Sequence, residues 1–449
     1  MSQSRFTARG AFGACLLLAL AVAAASPARA EPPAGEEPSL EQKVEVLTEE
    51  VSRLREQMNI PETDRELRGA YGMGPAASKV YGVAQGISFG GYGEFYFSTP
   101  YGNTAETGAV NSADLLRLIA YVGYKFSDRI VMNAEIEYEH ATTGSNYAGE
   151  SGEVAVEFAY LDFLIDPAFN VRTGNVLIPM GFINQMHEPT TFHGSFRPTI
   201  ERTIIPTTWR ELGAGIHGAR GSLSYSAYAV NGLNATEFDA SGVRGGRQEG
   251  NQAIWEDVGG VAGADYAATL GHGTLIVGAS LYYGGADQGL ARDSTGAMID
   301  VTNRVYEAHG EFHRGGFSAR ALVAASHIEN AAALSHALFA DGGVLTAQVP
   351  ESQLGWYAEA AYDIAPLLWK NASFTLSPWA RYEAFNLQNG VSAGTGLAAD
   401  PALDGSLVAV GLESKPHPNV VLKLDLLFPA NKSTAPVSDE IRFGAGFIY

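Results

Sequence analysis

Chemistry-bearing side chains gather in one stretch of this chain, EPTTFHGSFRPTIERTIIPTTWRELG, from Glu188 to Gly213. It contains Glu188, Arg197, Glu201, Arg202, Arg210 and Glu211, with His187 just ahead of it and His193 inside it. Arginines and carboxylates mixed in this way can set the electric field across a narrow aqueous passage. The two imidazoles could bind a solute, or equally hydrogen-bond the loop that carries them. A second group, EAHGEFH, places Glu307, His309, Glu311 and His313 at alternate positions. Two imidazoles and two carboxylates suit a divalent cation. Same-face neighbours on a strand stand ~6.8 Å apart, however, so a chelate would need a residue from the next strand. A polar face explains all four, and neither a metal nor a cofactor is expected. For nucleophilic catalysis the nearest arrangement is His193-Gly194-Ser195. No G-x-S-x-G elbow accompanies it, and the chain is not expected to be an enzyme.

Strands must position these residues. From Gly86 to Tyr449 the hydrophobic period is two, and sixteen segments carry it, from 87–97, 115–126 and 130–140 to 420–428 and 440–449. In 130–140 one face reads Ile130, Met132, Ala134, Ile136 and Tyr138, and the other Val131, Asn133, Glu135, Glu137 and Glu139. The final strand places Ile441, Phe443, Ala445, Phe447 and Tyr449 on one face. Connections alternate between short turns (SDR, DPA, LGHG, RGG, KPHPN) and long loops. Together these features predict an all-β fold, a transmembrane antiparallel β-barrel of about sixteen strands, apolar outside and polar within. An even strand number puts both termini on the periplasmic side of a bacterial outer membrane. If SDR makes a three-residue turn, Arg117 lies opposite Glu139. Arg117, Glu135, Glu137, Glu139, Glu307, His309, Glu311 and His313 are then pore-wall candidates.

The Glu188–Gly213 stretch falls in the third long loop, residues 179–210. Its prolines fix a path without ladder partners. Its apolar anchors, Phe192, Phe196, Ile204, Ile205 and Trp209, suit a loop folded into the lumen. His187, Glu188, His193, Arg197, Glu201, Arg202, Arg210 and Glu211 are therefore candidates for a pore constriction.

Upstream, residues 1–30 read as a secretory signal peptide: Arg5 and Arg9, the run ACLLLALAVAAA, and a final ARA. Its loss moves the net charge from −20 to about −23, a poor match to nucleic acid. It also removes Cys15, the only cysteine, which excludes disulfides and thiolate metal sites. Within 31–60, Leu40, Val44, Leu47, Val51, Leu54 and Met58 form a heptad seam, predicting a periplasmic coiled coil. Residues 61–85, rich in Gly, Ala and Arg, read as a linker.

The segments AYLDF, VLIPMGFINQMHEPTTFHG, ERTIIPTTWRELGAGIHG and LSYSAYAVNGL, behind a coiled coil, resemble the phosphate-selective porin O and P superfamily. The resemblance implies an outer-membrane channel, a homotrimer, passing small solutes or inorganic ions by passive diffusion. The phosphate-specific members use an arginine ladder and a lysine cluster, which cannot be placed here residue by residue. The solute stays open: phosphate, another anion, a sugar or a general mixture. The strand carboxylates predict a weakly selective, mildly cation-leaning pore with arginines near the third loop.

Overall fold

The computed structural model describes residues 67–146 and 149–449. The signal peptide and the coiled-coil segment lie outside the described residues. Sixteen strands close into one antiparallel barrel, each paired with its neighbour in sequence. They are β1 (Gly86–Tyr101), β2 (Ser112–Ser127), β3 (Ile130–Glu139), β4 (Val154–Asp166), β5 (Phe169–Leu177), β6 (Arg210–Arg220), β7 (Leu223–Asn231) and β8 (Val258–Leu270). The circuit continues through β9 (Gly273–Gly285), β10 (Thr302–Arg314) and β11 (Phe317–Ile328), and then, past a small hairpin, β14 (Ser352–Tyr362). It ends with β15 (Thr375–Gly390), β16 (Asp404–His417), β17 (Val420–Asn431) and β18 (Asp439–Ile448). The hairpin, β12 (Ala340–Asp341) and β13 (Val344–Leu345), stands apart from the barrel sheet. Closure comes from β18 pairing with β1, Tyr92 opposite Ile448 through to Tyr101 opposite Asp439. All sixteen segments expected from the alternation are barrel strands.

The alternation sorts as a lipid-facing wall requires, apolar side chains outward and polar ones inward. Tyr138 on β3 is exposed, whereas Asn133, Glu135 and Glu137 on its other face are buried. Exposed aromatics gather at both ends of the wall. Phe89, Phe126, Phe169, Phe317 and Tyr362 lie toward the end that carries the short turns. Phe97, Tyr138, Tyr283, Tyr306 and Phe428 lie toward the end with long loops. Two such girdles mark the interfaces of a bilayer, where an amphipathic ring is most stable. Several short turns are as tight as the sequence suggests. Gly221, Gly271 and Gly315 open two-residue turns with φ of +63°, +62° and +57°, where a side chain would be strained. The turn from Asp363 to Phe374 is an exception, long enough to hold a short helix, Ala365–Leu368. No described helix is long and apolar enough to cross a membrane.

One expectation is corrected. Residues 61–85 read as a linker, but within the described part Ala70–Gly82 is packed inside the barrel. Met73, Ala76, Ala77 and Val80 are all buried. Glycine and alanine here permit close contact with the wall. A Cβ on Gly123 of β2 would meet Val80 at 2.5 Å, and one on Gly74 would meet the Glu188 carboxylate at 2.5 Å.

Candidate functional site

The third loop, residues 178–209, leaves β5 and crosses the lumen to the far wall before returning to β6. Its backbone runs at membrane depth without ladder partners, so each polar group needs another partner. Wall side chains supply them. Lys415 Nζ on β16 donates to Thr190 O (2.8 Å) and Arg320 Nη2 on β11 to Thr191 O (3.2 Å). Lys423 Nζ on β17 donates to both Phe192 O (2.9 Å) and Gly194 O (2.8 Å). Arg381 on β15 reaches His193 O and Phe196 O. In the opposite sense, the amide of Ser195 donates to Asp425 on β17, and that of Thr199 to Glu383 on β15 (2.6 Å). Hydrogen bonds to ionised groups are the strong kind, and this segment is fixed by them almost residue by residue. Apolar anchoring completes the seat. Phe192, Ile200, Ile204, Ile205 and Trp209 are buried, and Trp209 packs on Tyr282 with ring centroids 4.6 Å apart.

The eight candidate constriction residues separate into two groups. Six are turned into protein. Glu188 accepts from the amides of Ala76 (2.9 Å) and Ala77 (3.0 Å), docking the N-terminal segment. Glu201 accepts from Ile183 N (2.7 Å) and Tyr357 Oη (2.6 Å). Glu211 holds Asn231 and Gln248, and Arg210 pairs with Glu157 and Glu249. Arg197 is buried and donates to Thr208 Oγ1 at 3.0 Å. His187 sits between Glu135 (3.2 Å) and Glu157 (3.3 Å). Two keep contact with open space. Arg202 is exposed, and His193 is partly exposed and pairs with Glu413 at 3.1 Å. Ser195 Oγ is buried without a hydrogen-bond partner, so it forms no nucleophile–base pair with His193.

On the wall, Arg117 stands opposite Glu139 in the β2–β3 ladder as expected, although the turn itself is the two residues Asp128 and Arg129 and an irregularity between Lys125 and Ser127 supplies the extra residue. Its guanidinium is shared among Glu94 (3.2 Å), Glu139 (3.3 Å) and Glu137 (3.6 Å). The β10 group is not brought together around one point. His309 pairs with Glu307 (2.9 Å) and with Asp265 of β8 (2.8 Å). Glu311 pairs instead with Arg320 (2.7 Å) and His313 (3.2 Å).

Three features went unread in the sequence. The N-terminal segment is the first: Asn133 Nδ2 donates to Ala77 O at 2.8 Å, and Tyr81 Oη to Asp162 at 2.7 Å. Asp162 also binds Arg172 (2.8 Å) and His217 (2.7 Å), a buried polar network at the segment's seat. The fourth long loop, 232–257, is the second. Gln353 and Gln388 on the far wall donate to Ser241 O and Ala240 O. Its Arg244 and Arg247 donate to Arg202 O (2.8 Å) and Thr208 O (2.6 Å), clamping it onto the third loop. The only available signal was the basic, glycine-rich SGVRGGR. The third is a pair of cavities beside the loop. One, of about 470 Å³, is bordered by Tyr71, Gln185, His217, Asp265 and His309. The other, of about 510 Å³, is bordered by Met186, His193, Glu311, His313 and Lys415.

Comparison with known proteins places this barrel among relatives. No protein-family model matches the chain. Among solved structures, OmpF of Salmonella typhi, in complex with daunomycin, superposes with a TM-score of 0.50 at 14% identity. That match covers 82% of this chain and 98% of OmpF, and shows a shared fold. The outer membrane channel DcaP of Acinetobacter baumannii gives a TM-score of 0.49 at 13% identity, over 81% of this chain and 97% of that one. An anion-selective porin from Comamonas acidovorans gives 0.48 at 9% identity, over 81% and 99%. In sequence, an uncharacterized protein of Aquifex aeolicus (strain VF5) is 36% identical over 378 residues, 83% of this chain and 82% of its own length. The chain belongs to one family with that Aquifex protein.

Proposed function

We propose that the protein is an outer-membrane porin through which small hydrophilic solutes or ions diffuse passively, with the third loop setting selectivity. The observation that carries this reading is the loop itself. It spans the lumen of a closed barrel on charged anchors, yet leaves cavities of about 470 and 510 Å³ bordered by polar side chains beside it. A structural plug would fill that space with apolar packing. Arg202 and Arg244 are both exposed, although neither borders these two cavities. Arg247, Arg202 and Arg197 are the like charges acting most strongly on Arg244, so the loop's basic side favours anions locally. Of the β3 carboxylates only Glu139 keeps partial exposure, paired with Arg117, because Glu135 and Glu137 are buried, so the opposing cation lean is slight and the balance is weak selectivity. The coiled coil and the homotrimer belong to the same proposal, as does residence in the outer membrane with residues 31–60 periplasmic.

The finer resemblance to phosphate-selective porins is a second reading, favoured by the exposed Arg202 and Arg244; Arg247 is already paired with Glu249 at 2.9 Å. Against a phosphate ladder, Arg320, Arg381, Lys415 and Lys423 are all engaged by loop carbonyls or wall carboxylates. The test is reconstitution of the purified protein in a planar bilayer. Stepwise conductance that rises with salt is expected; a folded protein that gives none rejects the channel. The sign of the reversal potential in a KCl gradient separates the anion reading from the cation reading.

A further inference from the structure

We infer that Glu135, Glu157 and His187 form a binding site for one transition-metal dication, best matched to Zn²⁺, which staples the third loop to the barrel wall. Glu135 and Glu157 come from adjacent strands, β3 and β4, and His187 from the loop laid across them. Their donor atoms all lie within 4.8 Å of one another.

His187 Nδ1 faces only the carbonyl oxygen of Asn184, at 3.0 Å, so it carries a hydrogen and donates. That leaves Nε2 as the atom turned to the two carboxylates. Fixing Nδ1–H on a backbone carbonyl is how proteins orient an imidazole for metal binding. Nε2 lies 3.2 Å from Glu135 Oε1 and 3.3 Å from Glu157 Oε2. An ion pair sealed by a charge-assisted hydrogen bond closes to about 2.7–2.9 Å. Donors 2.0–2.1 Å from a tetrahedral zinc are separated by ~3.3–3.4 Å, close to the distance of Nε2 from each carboxylate. Glu135 Oε2, Glu137 Oε1 and Glu157 Oε2 are buried without a hydrogen-bond donor, on residues at most 2% exposed. A single Nε2 proton cannot serve two carboxylates. Of the nearby cations, Arg117 is shared among three glutamates and Arg210 between Glu157 and Glu249, while Arg197 acts on Glu157 by charge but donates only to Thr208.

One imidazole and two carboxylates are a donor set for zinc, with a fourth position open to water. The alternating β10 residues read from the sequence as possible ligands are divided between other partners, whereas this trio spans three elements. The inference does not rest on the channel reading, because its readout is metal binding.

The test uses the full-length protein in detergent micelles, stripped with EDTA, equilibrated with ZnCl₂ and freed of excess. One zinc per chain by mass spectrometry is expected, and Co²⁺ in its place should give the visible absorption of a four-coordinate site. His187→Gln and Glu157→Gln should each weaken zinc binding by at least about 100-fold, the upper end of what loss of an outer-shell partner costs. His313→Gln, at an exposed position on β10, should leave it unchanged. Heat-modifiable gel mobility reports whether each variant has folded. Wild-type protein with no zinc above the blank overturns the inference. So does a folded His187→Gln that binds zinc as well as wild type. Either result makes the trio an imidazolium held between two carboxylates. Should a variant fail to fold, the wild-type stoichiometry and cobalt spectrum decide alone.

Discussion

Replacing Glu188 with alanine should free the N-terminal segment from the lumen. The carboxylate is 1% exposed and accepts from two backbone amides, Ala76 N at 2.9 and 3.0 Å and Ala77 N at 3.0 Å. A hydrogen bond to an ionised group contributes about 1.5–3 kcal/mol net, so losing both weakens docking by about 3–6 kcal/mol. The two amides are hydrated once the segment leaves, and no further penalty is added for leaving them unpaired. At tenfold per about 1.4 kcal/mol, even the lower bound is a factor of roughly 100 in the opening equilibrium. Amide hydrogen exchange by mass spectrometry, read over 70–82 in micelles, measures this population directly. Protection there should fall by about two orders of magnitude or more while the strands keep theirs. Glu188→Gln retains one acceptor oxygen and should fall between the two. If protection in Glu188→Ala stays within about fivefold of wild type, the carboxylate is not what holds the segment, and the energetic reasoning fails. Bilayer recordings add a second arm: a segment that obstructs the lumen should raise the step conductance when released.

Three further outcomes are expected. Arg202→Ala should move the reversal potential toward cations more than Arg197→Ala does, because Arg202 is exposed and Arg197 is buried on Thr208; equal shifts would contradict the placement. Burial raises the Glu201 carboxyl to about 7, against hydrogen bonds from Tyr357 and Ile183 that lower it. With a folded value above the unfolded one, its stabilisation is complete below about pH 4.5 and lost as pH rises through 7. Protection factors in the third loop, with the base-catalysed intrinsic rate divided out, should therefore fall from pH 5 to pH 8 in wild type and much less in Glu201→Gln. Lys423→Met removes the donor to Phe192 O and Gly194 O and should destabilise the loop by about 3 kcal/mol, seen as new protease cleavage near 192–195 in an otherwise intact barrel.

The barrel was legible because lipid on one side and water on the other impose a two-residue rhythm on every strand. That rhythm survives in β3 and β18 without knowledge of their partners. The inward path of the third loop was legible too, since prolines and apolar anchors between strand segments have few other uses. Which of its charges face water was not legible. Glu188 and Glu201 look like Arg202 in the sequence, and differ only because backbone amides and a tyrosine from distant elements close over them. Residues 70–82 were misread for a related reason. Glycine and alanine make poor strands and good linkers, but they also make the thin backbone that fits against Gly123 and under Glu188. The fourth loop's inward reach depends on Gln353 and Gln388, more than 100 residues downstream.

The anchors of the third loop carry a consequence for the order in which the molecule is built. Phe192, Gly194 and Ser195 are held by Lys423 and Asp425, 229–231 positions later in the chain. A nascent sheet that has reached only β7 offers the loop one shore and no opposite bank. Its carbonyls must wait, solvated, until the last quarter of the polypeptide arrives. Closing so long a span is among the slowest steps available to a chain. The barrel's interior is therefore furnished last, and a barrel that loses β16 and β17 loses its third loop with them.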